Sequence, residues 1–127
     1  MKQLFFVGLG GALGAIFRYL ASVVTSKYYI GNFPLATFLV NISGCFLIGV
    51  LIGWLSSSSQ NSNDLRLLFV TGFCGAYTTF STFAAENLTL IEHGNSRIAL
   101  LYILLSIILG VLAVWLGIKS HHAFTTC

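Results

Sequence analysis

Four apolar runs account for most of this chain: Leu4–Val24, Leu35–Leu55, Leu65–Ile91 and Ile98–Ile118. Each is long enough to cross a bilayer as a helix, for which about 20 apolar residues suffice. In hydrocarbon, every backbone N–H and C=O must be satisfied inside the protein, so irregular backbone survives there only when buried in protein or lining a wet cavity. The breaks between the runs carry turn residues: Lys27 to Pro34, Ser56 to Asp64, and His93 to Ser96. Of 127 residues, 57% are hydrophobic and only 7% charged. That balance excludes a soluble domain and a disordered chain, and predicts an all-α integral membrane protein. Residues 1–127 read as one compact four-helix membrane domain in the lipid bilayer, without a soluble domain or a long linker.

Met1-Lys2 followed by apolar residues has the look of a signal peptide. Leu4–Val24 is too long for one, is rich in glycine, contains Arg18 and lacks a convincing cleavage site. The first run is therefore expected to be a retained span. Cys45 and Cys74 fall inside spans and read as buried thiols behaving as small apolar groups, while Cys127 lies in the tail. No His/Cys metal cluster, phosphate loop or Ser/His/Asp set is present, which argues against an enzyme. The net charge of +3 is too small and dispersed for a nucleic-acid partner. His121 and His122 read as a solvated end, and the tail after Ser120 carries no assignable role.

Charge placement leaves the orientation open. With four spans, Lys2, Arg66 and Lys119 share one side, and Lys27 and Arg97 the other, with Arg18 nearer the latter. The positive-inside rule needs an excess on one side, and there is almost none. Either one orientation is weakly determined, or copies insert both ways and pair antiparallel. The second is preferred, because four short helices are too few to enclose a conduction path. Such a dual-topology homodimer has its two-fold axis in the membrane plane, doing with two chains what inverted repeats do in one.

Polar atoms within the spans point to an ion site. In the first span, Gly10 and Gly14 have small-xxx-small spacing and allow close helix approach. Arg18 either snorkels to the interface or lines an electropositive vestibule that attracts anions. In the second, Thr37, Asn41 and Gly44 fall at helical spacing. Asn41 either bonds a neighbouring helix or aims an amide donor at an anion. In the fourth, Tyr102, Ser106, Gly110, Ala113 and Gly117 share a face that reads as packing or as a polar track.

The third span is the exception. Gly72 and Gly75 weaken a helix there, and Thr78, Thr79, Ser81 and Thr82 can capture backbone groups locally. A break is expected around residues 75–79. It would free carbonyls that favour a cation and N–H groups that favour an anion. Hydroxyls and carbonyls are hard ligands, suited to sodium rather than to a soft metal. Phe80 and Phe83, three residues apart, are expected to share a helix face, and aromatic ring edges carry partial positive charge. Glu86, about two helical turns past Thr79, is an intramembrane carboxylate or an interfacial one.

Three segments together carry a resemblance: Gly10-Gly-Ala-Leu-Gly-Ala-Ile-Phe-Arg18-Tyr19, Asn41-Ile-Ser-Gly44-Cys-Phe-Leu-Ile-Gly49, and Gly72-Phe-Cys-Gly75-Ala-Tyr-Thr78-Thr79-Phe80-Ser81-Thr82-Phe83. In these and in the order of all four spans, the chain resembles the Fluc (CrcB) family of small fluoride channels. The third segment is the most specific. The resemblance implies a dual-topology homodimer in a bacterial inner membrane that passively exports cytoplasmic fluoride and so relieves its toxicity. It implies a fluoride pathway drawn from Asn41, Thr79, Phe80, Ser81, Phe83, Glu86, Tyr102 and Ser106, with Arg18 at the vestibule. It also implies a structural sodium ion, not transported, held by the backbone carbonyls of Gly75 and Thr78 at the dimer centre. The alternative is a small dual-topology multidrug transporter exchanging protons for cationic drugs. That needs a deep acidic residue, whereas the first span has Arg18 and Glu86 comes late in the third. A non-transporting subunit of packed glycine helices leaves the polar run at 75–83 unexplained.

Overall fold

The computed structural model describes residues 1–58 and 62–127. Residues 59–61, the middle of the expected Ser56–Asp64 turn, lie outside the described residues. The elements are α1 (Lys2–Tyr28), α2 (Leu35–Ser56), α3 (Ser62–Leu65), a run of wide π-type turns (Arg66–Cys74), α4 (Gly75–Tyr77), α5 (Ser81–Glu92) and α6 (Ser96–Thr125). Four helical stretches are long and apolar enough to cross a membrane: Lys2–Tyr28, Leu35–Ser56, Asn63–Glu92 and Ser96–Thr125.

Two close pairs organise the molecule. α1 lies along the π-type run and α4, and α2 lies along α6. In lipid no hydrophobic force drives helices together, so small residues that let backbones touch decide where they meet. A methyl group on Gly10 would strike the Leu68 carbonyl, and one on Gly14 the Phe73 carbonyl. Across the other pair, Gly49 abuts the Val114 carbonyl and Gly117 abuts the Phe46 carbonyl. The small-residue spacing of the first two spans is thus a packing device. On α6 it extends through Gly110, Ala113 and Gly117, all buried.

Short connections follow from local chemistry. Pro34 caps α2, its carbonyl taking the Phe38 N–H at 3.1 Å. α5 ends at Glu92, and two residues on Gly94 has a φ of +77°, which suits glycine. The Asn95 N–H reaches back to the Leu90 carbonyl at 2.8 Å and the Gly94 N–H to that of Ile91 at 3.1 Å. This Schellman arrangement satisfies the last carbonyls and turns the chain into α6. At the opposite end, Lys2 Nζ lies 2.6 Å from the Asp64 carboxylate and ties the N-terminus to the start of the third span.

Two expected boundaries move. The first span was expected to stop at Val24, with Lys27 opening the turn, but α1 runs on to Tyr28. The fourth span was expected to stop at Ile118, with His121 and His122 solvated; instead α6 continues to Thr125. His121 packs over Gly53, a Cβ built there lying 2.9 Å from the His121 Cβ, and its Nε2 sits 3.4 Å from Ser57 Oγ. The helix continues because α2 offers it a small residue to rest on. His122 is exposed.

Candidate ion pathway

The third span departs from regular helix twice. Arg66–Cys74 form π-type turns, a rare geometry found mostly as single turns and frequently at functional sites. Nothing in the residue types announces it. Beyond α4, Thr78 is extended, at φ −80° and ψ 158°. Helix resumes only at Ser81. The Thr78 N–H and the Phe80 carbonyl keep i→i−4 partners in Cys74 and Ala84, whereas the backbone groups of Thr79 between them need partners from elsewhere.

Asn41 supplies two of them. The Thr79 N–H donates to Asn41 Oδ1 at 2.8 Å, and Asn41 Nδ2 donates to the Thr79 carbonyl at 3.0 Å. The side-chain amide replaces a missing stretch of helix backbone, and one of its N–H groups has no partner among the described residues. Of the two sequence readings of Asn41, the interhelical bond is present, and it goes to backbone. α2 reaches this spot because Gly44 has no side chain: a Cβ there would strike Thr78 Cγ2. The Thr78 N–H and hydroxyl both donate to the Cys74 carbonyl, at 3.0 and 2.9 Å. Thr79 Oγ1 accepts the Thr82 N–H at 3.3 Å, donates to Thr82 Oγ1 at 3.0 Å and lies 3.5 Å from Ser81 Oγ. The Thr/Ser run thus closes on itself and on the start of α5.

The carbonyls of Gly75 and Thr78 take part in no hydrogen bond among the described residues. Gly75 is exposed, and a Cβ built on it meets only the Val70 carbonyl, at 3.9 Å. These are hard, unpartnered oxygens on an open face, a donor set that fits a sodium ion.

Phe80 sits ahead of α5 rather than within it, so the two phenylalanines do not share a helix face in the way expected. Their rings nevertheless lie 5.8 Å apart at 40°. Phe80 is 78% exposed, whereas Phe83 packs edge-on to Tyr102 at 4.9 Å. Tyr102 is fully buried, flanked also by Phe33 at 5.3 Å and Phe38 at 6.5 Å. Its hydroxyl and that of Ser106 are buried without a partner among the described residues. The fourth-span face is therefore divided: small residues pack, and two hydroxyls remain free.

An open groove of about 380 Å³ gathers Asn41, Gly75, Thr78, Thr79, Phe80, Phe83 and Ser106. Arg18 does not join it. It lines a second cavity of about 280 Å³ with Ser22, Thr37, Thr79 and Thr82. Thr79 is common to both walls. Glu86 lies farther along, beside a hollow of about 180 Å³, and its carboxylate accepts the Thr37 hydroxyl. Sequence reading placed Thr37 on the face of Asn41 and missed this bond. Their i, i+4 spacing on α2, facing Thr79 and Glu86, was the available signal. It also missed Asn87, an amide 6% exposed.

Residues 5–118 match the family described as CrcB-like protein, Camphor Resistance (CrcB). The chain belongs to the CrcB-like family. Among curated relatives of this family is the "Fluoride-specific ion channel FluC" of Flavobacterium psychrophilum, 47% identical over 118 residues, which are 93% of this chain and 95% of the relative. A protein of the same name in Acidobacterium capsulatum is 49% identical over 117 residues, 92% and 93% of the two chains. Another, from Azobacteroides pseudotrichonymphae, is 42% identical over 117 residues, 92% and 94%. With four apolar helical stretches, this CrcB-like chain is a multi-pass membrane protein.

Proposed function

We propose that this chain is a fluoride-selective ion channel, not an enzyme, that passively exports cytoplasmic fluoride across the bacterial inner membrane and relieves its toxicity. Membership of the CrcB-like family and relatives named as fluoride-specific channels support this reading. The observation that carries it structurally is the Asn41-clamped interruption at Thr78–Phe80, with two phenylalanine rings beside an open groove.

Fluoride is small, strongly hydrated and a strong hydrogen-bond acceptor. A path that takes it from water must return donors, yet bind weakly enough to release it. The free N–H of Asn41, the hydroxyls of Thr79, Ser81, Ser106 and Tyr102, and the ring edges of Phe80 and Phe83 are the proposed donors. Glu86, held by Thr37, stands near one end of the path, and Arg18 draws anions toward the other wall of Thr79. An inside-negative potential drives the anion outward by about 2.3 kcal/mol per 100 mV.

The functional unit is proposed to be a dual-topology homodimer of two antiparallel copies of one four-helix domain. Gly75 supports this, since among the described residues a Cβ there meets only the Val70 carbonyl, at 3.9 Å, an ordinary contact. A facing copy gives its smallness a reason. Gly75 and Thr78 would hold a structural sodium ion through their backbone carbonyls, which would supply positive charge near the anion path. The multidrug-transporter alternative gains no support: Glu86 lies late in the third span, and the relatives carry a channel's name.

The deciding experiment is flux from liposomes. Purified protein is expected to release fluoride and retain chloride. Equal release of both, or release of neither, removes the channel reading.

A further inference from the structure

Among the described residues, Asn87 is the one polar residue with a buried side chain, 6% exposed on the inner side of α5. On the helix it shares a face with Phe83, four residues before it, and with Leu90, three residues after it. That face packs into the cluster of Leu90, Ala99 and Tyr102, with Phe33, Phe38, Phe83 and Ile98 around it. A leucine would suit such surroundings better. An amide there must be desolvated, and Asn87 Oδ1 is buried with no partner among the described residues.

What the amide does is reach back one turn. Asn87 Nδ2 donates to the Phe83 carbonyl at 2.9 Å. In a regular helix that carbonyl already receives the Asn87 N–H, so the side chain adds a second donor to the same oxygen. Phe83 lies in the first turn of α5, just past the Thr78–Phe80 interruption, where a helix is least constrained. Its ring is caught between Phe80 at 5.8 Å and Tyr102 at 4.9 Å. A small rotation of this turn would slide the ring along Tyr102 and change its spacing from Phe80.

We propose that Asn87 is a positioning residue for Phe83: by double-bonding the Phe83 carbonyl it fixes the turn that aims the Phe83 ring between Phe80 and Tyr102. This rests on the reading that Phe83 lines the fluoride path. Asn87 itself touches no ion in this proposal and acts only through Phe83.

The test is a double-mutant cycle read by fluoride efflux from liposomes, with Phe83→Ile, Asn87→Leu and the pair. Asn87→Ser joins the set, because a serine hydroxyl can make the same bond to the carbonyl four residues back. Asn87→Leu is expected to slow efflux about tenfold, and Asn87→Ser to restore it to within about threefold of wild type. On the Phe83→Ile background, Asn87→Leu is expected to add less than a twofold change. Multiplying effects, a serine variant as slow as the leucine variant, or a leucine variant as fast as wild type would each overturn the proposal. Asn87→Ala removes the donor without adding bulk or charge. If the leucine variant does not fold, the alanine variant takes its place in the cycle with the same expected and overturning outcomes. An unchanged rate for Phe83→Ile alone would instead remove Phe83 from the path, so the two failures are distinguishable.

Discussion

Asn41 is where one side chain supports an irregular backbone at membrane depth. Its amide pairs with both backbone groups of Thr79. Truncating it to Asn41→Leu leaves an N–H and a C=O unpaired, at roughly 1–3 kcal/mol for each buried group. The variant is expected to melt at lower temperature and to lose at least about tenfold in fluoride efflux; a variant matching wild type in both would mean that Thr79 finds other partners. Phe80→Ile and Phe83→Ile test a different property. Neither removes a hydrogen bond, and Phe80 is mostly exposed, so both are expected to elute like wild type while passing fluoride more slowly. Unchanged efflux would take that ring out of the path. The residue types of this site were legible because amides, hydroxyls and paired phenylalanines are conspicuous in an apolar span. Their division of labour was not. Sequence gives no distances, so Asn41 read equally as an anion donor and as a helix bridge, and the Thr37–Glu86 bond, between residues 49 apart, showed only as the i, i+4 spacing of Thr37 and Asn41, which does not name the partner.

At the scale of elements, glycines separate into two kinds that spacing alone cannot tell apart. Gly49 and Gly117 each meet backbone of the facing helix, as do Gly10 and Gly14. A side chain at any of these must push two helices apart, at about 1–3 kcal/mol or more for overpacking. Gly117→Leu is therefore expected to reduce the yield of folded protein sharply. Gly75 has open space beside it, so Gly75→Ala is expected to leave the single chain's fold intact. If Gly75 faces a second copy, the same change is expected to weaken the dimer and fluoride efflux, measured by cross-linking and by flux. A Gly75→Ala protein with normal dimer and flux would leave its open face unrelated to function. The four spans were legible because hydropathy and turn residues are local signals. The π-type run Arg66–Cys74 and the continuation of α6 to Thr125 were not. Both depend on what the neighbouring helix presents: for α6 a small Gly53 under His121, for the π-type run the close approach of Gly10 and Gly14.

At the scale of the whole molecule, the open groove and the balanced charges pose one question: what covers the face that holds Phe80, Gly75 and Thr78. A single copy leaves hard oxygens and an exposed aromatic ring at the centre of an apolar surface, which is costly in lipid. A second copy in the same orientation would bring like ends together. In the proposed dimer an antiparallel copy would set the same groove against itself across a two-fold axis in the membrane plane, and both pairs of Gly75 and Thr78 carbonyls would face one cation. Replacing sodium by a bulky organic cation is then expected to reduce efflux, and indifference to the swap would leave those carbonyls without an ion. Orientation has its own measurement. Cys127 is exposed at the end of α6, whereas Cys74 is buried and Cys45 half-buried. A membrane-impermeant thiol reagent applied to intact cells is expected to label about half of the Cys127 population in a dual-topology arrangement, and the remainder only after permeabilisation. Labelling confined to one side would fix a single orientation. The near-equal placement of Lys2, Arg66 and Lys119 against Lys27 and Arg97 would then reflect a weak signal rather than a double one, and the antiparallel dimer would have to be abandoned.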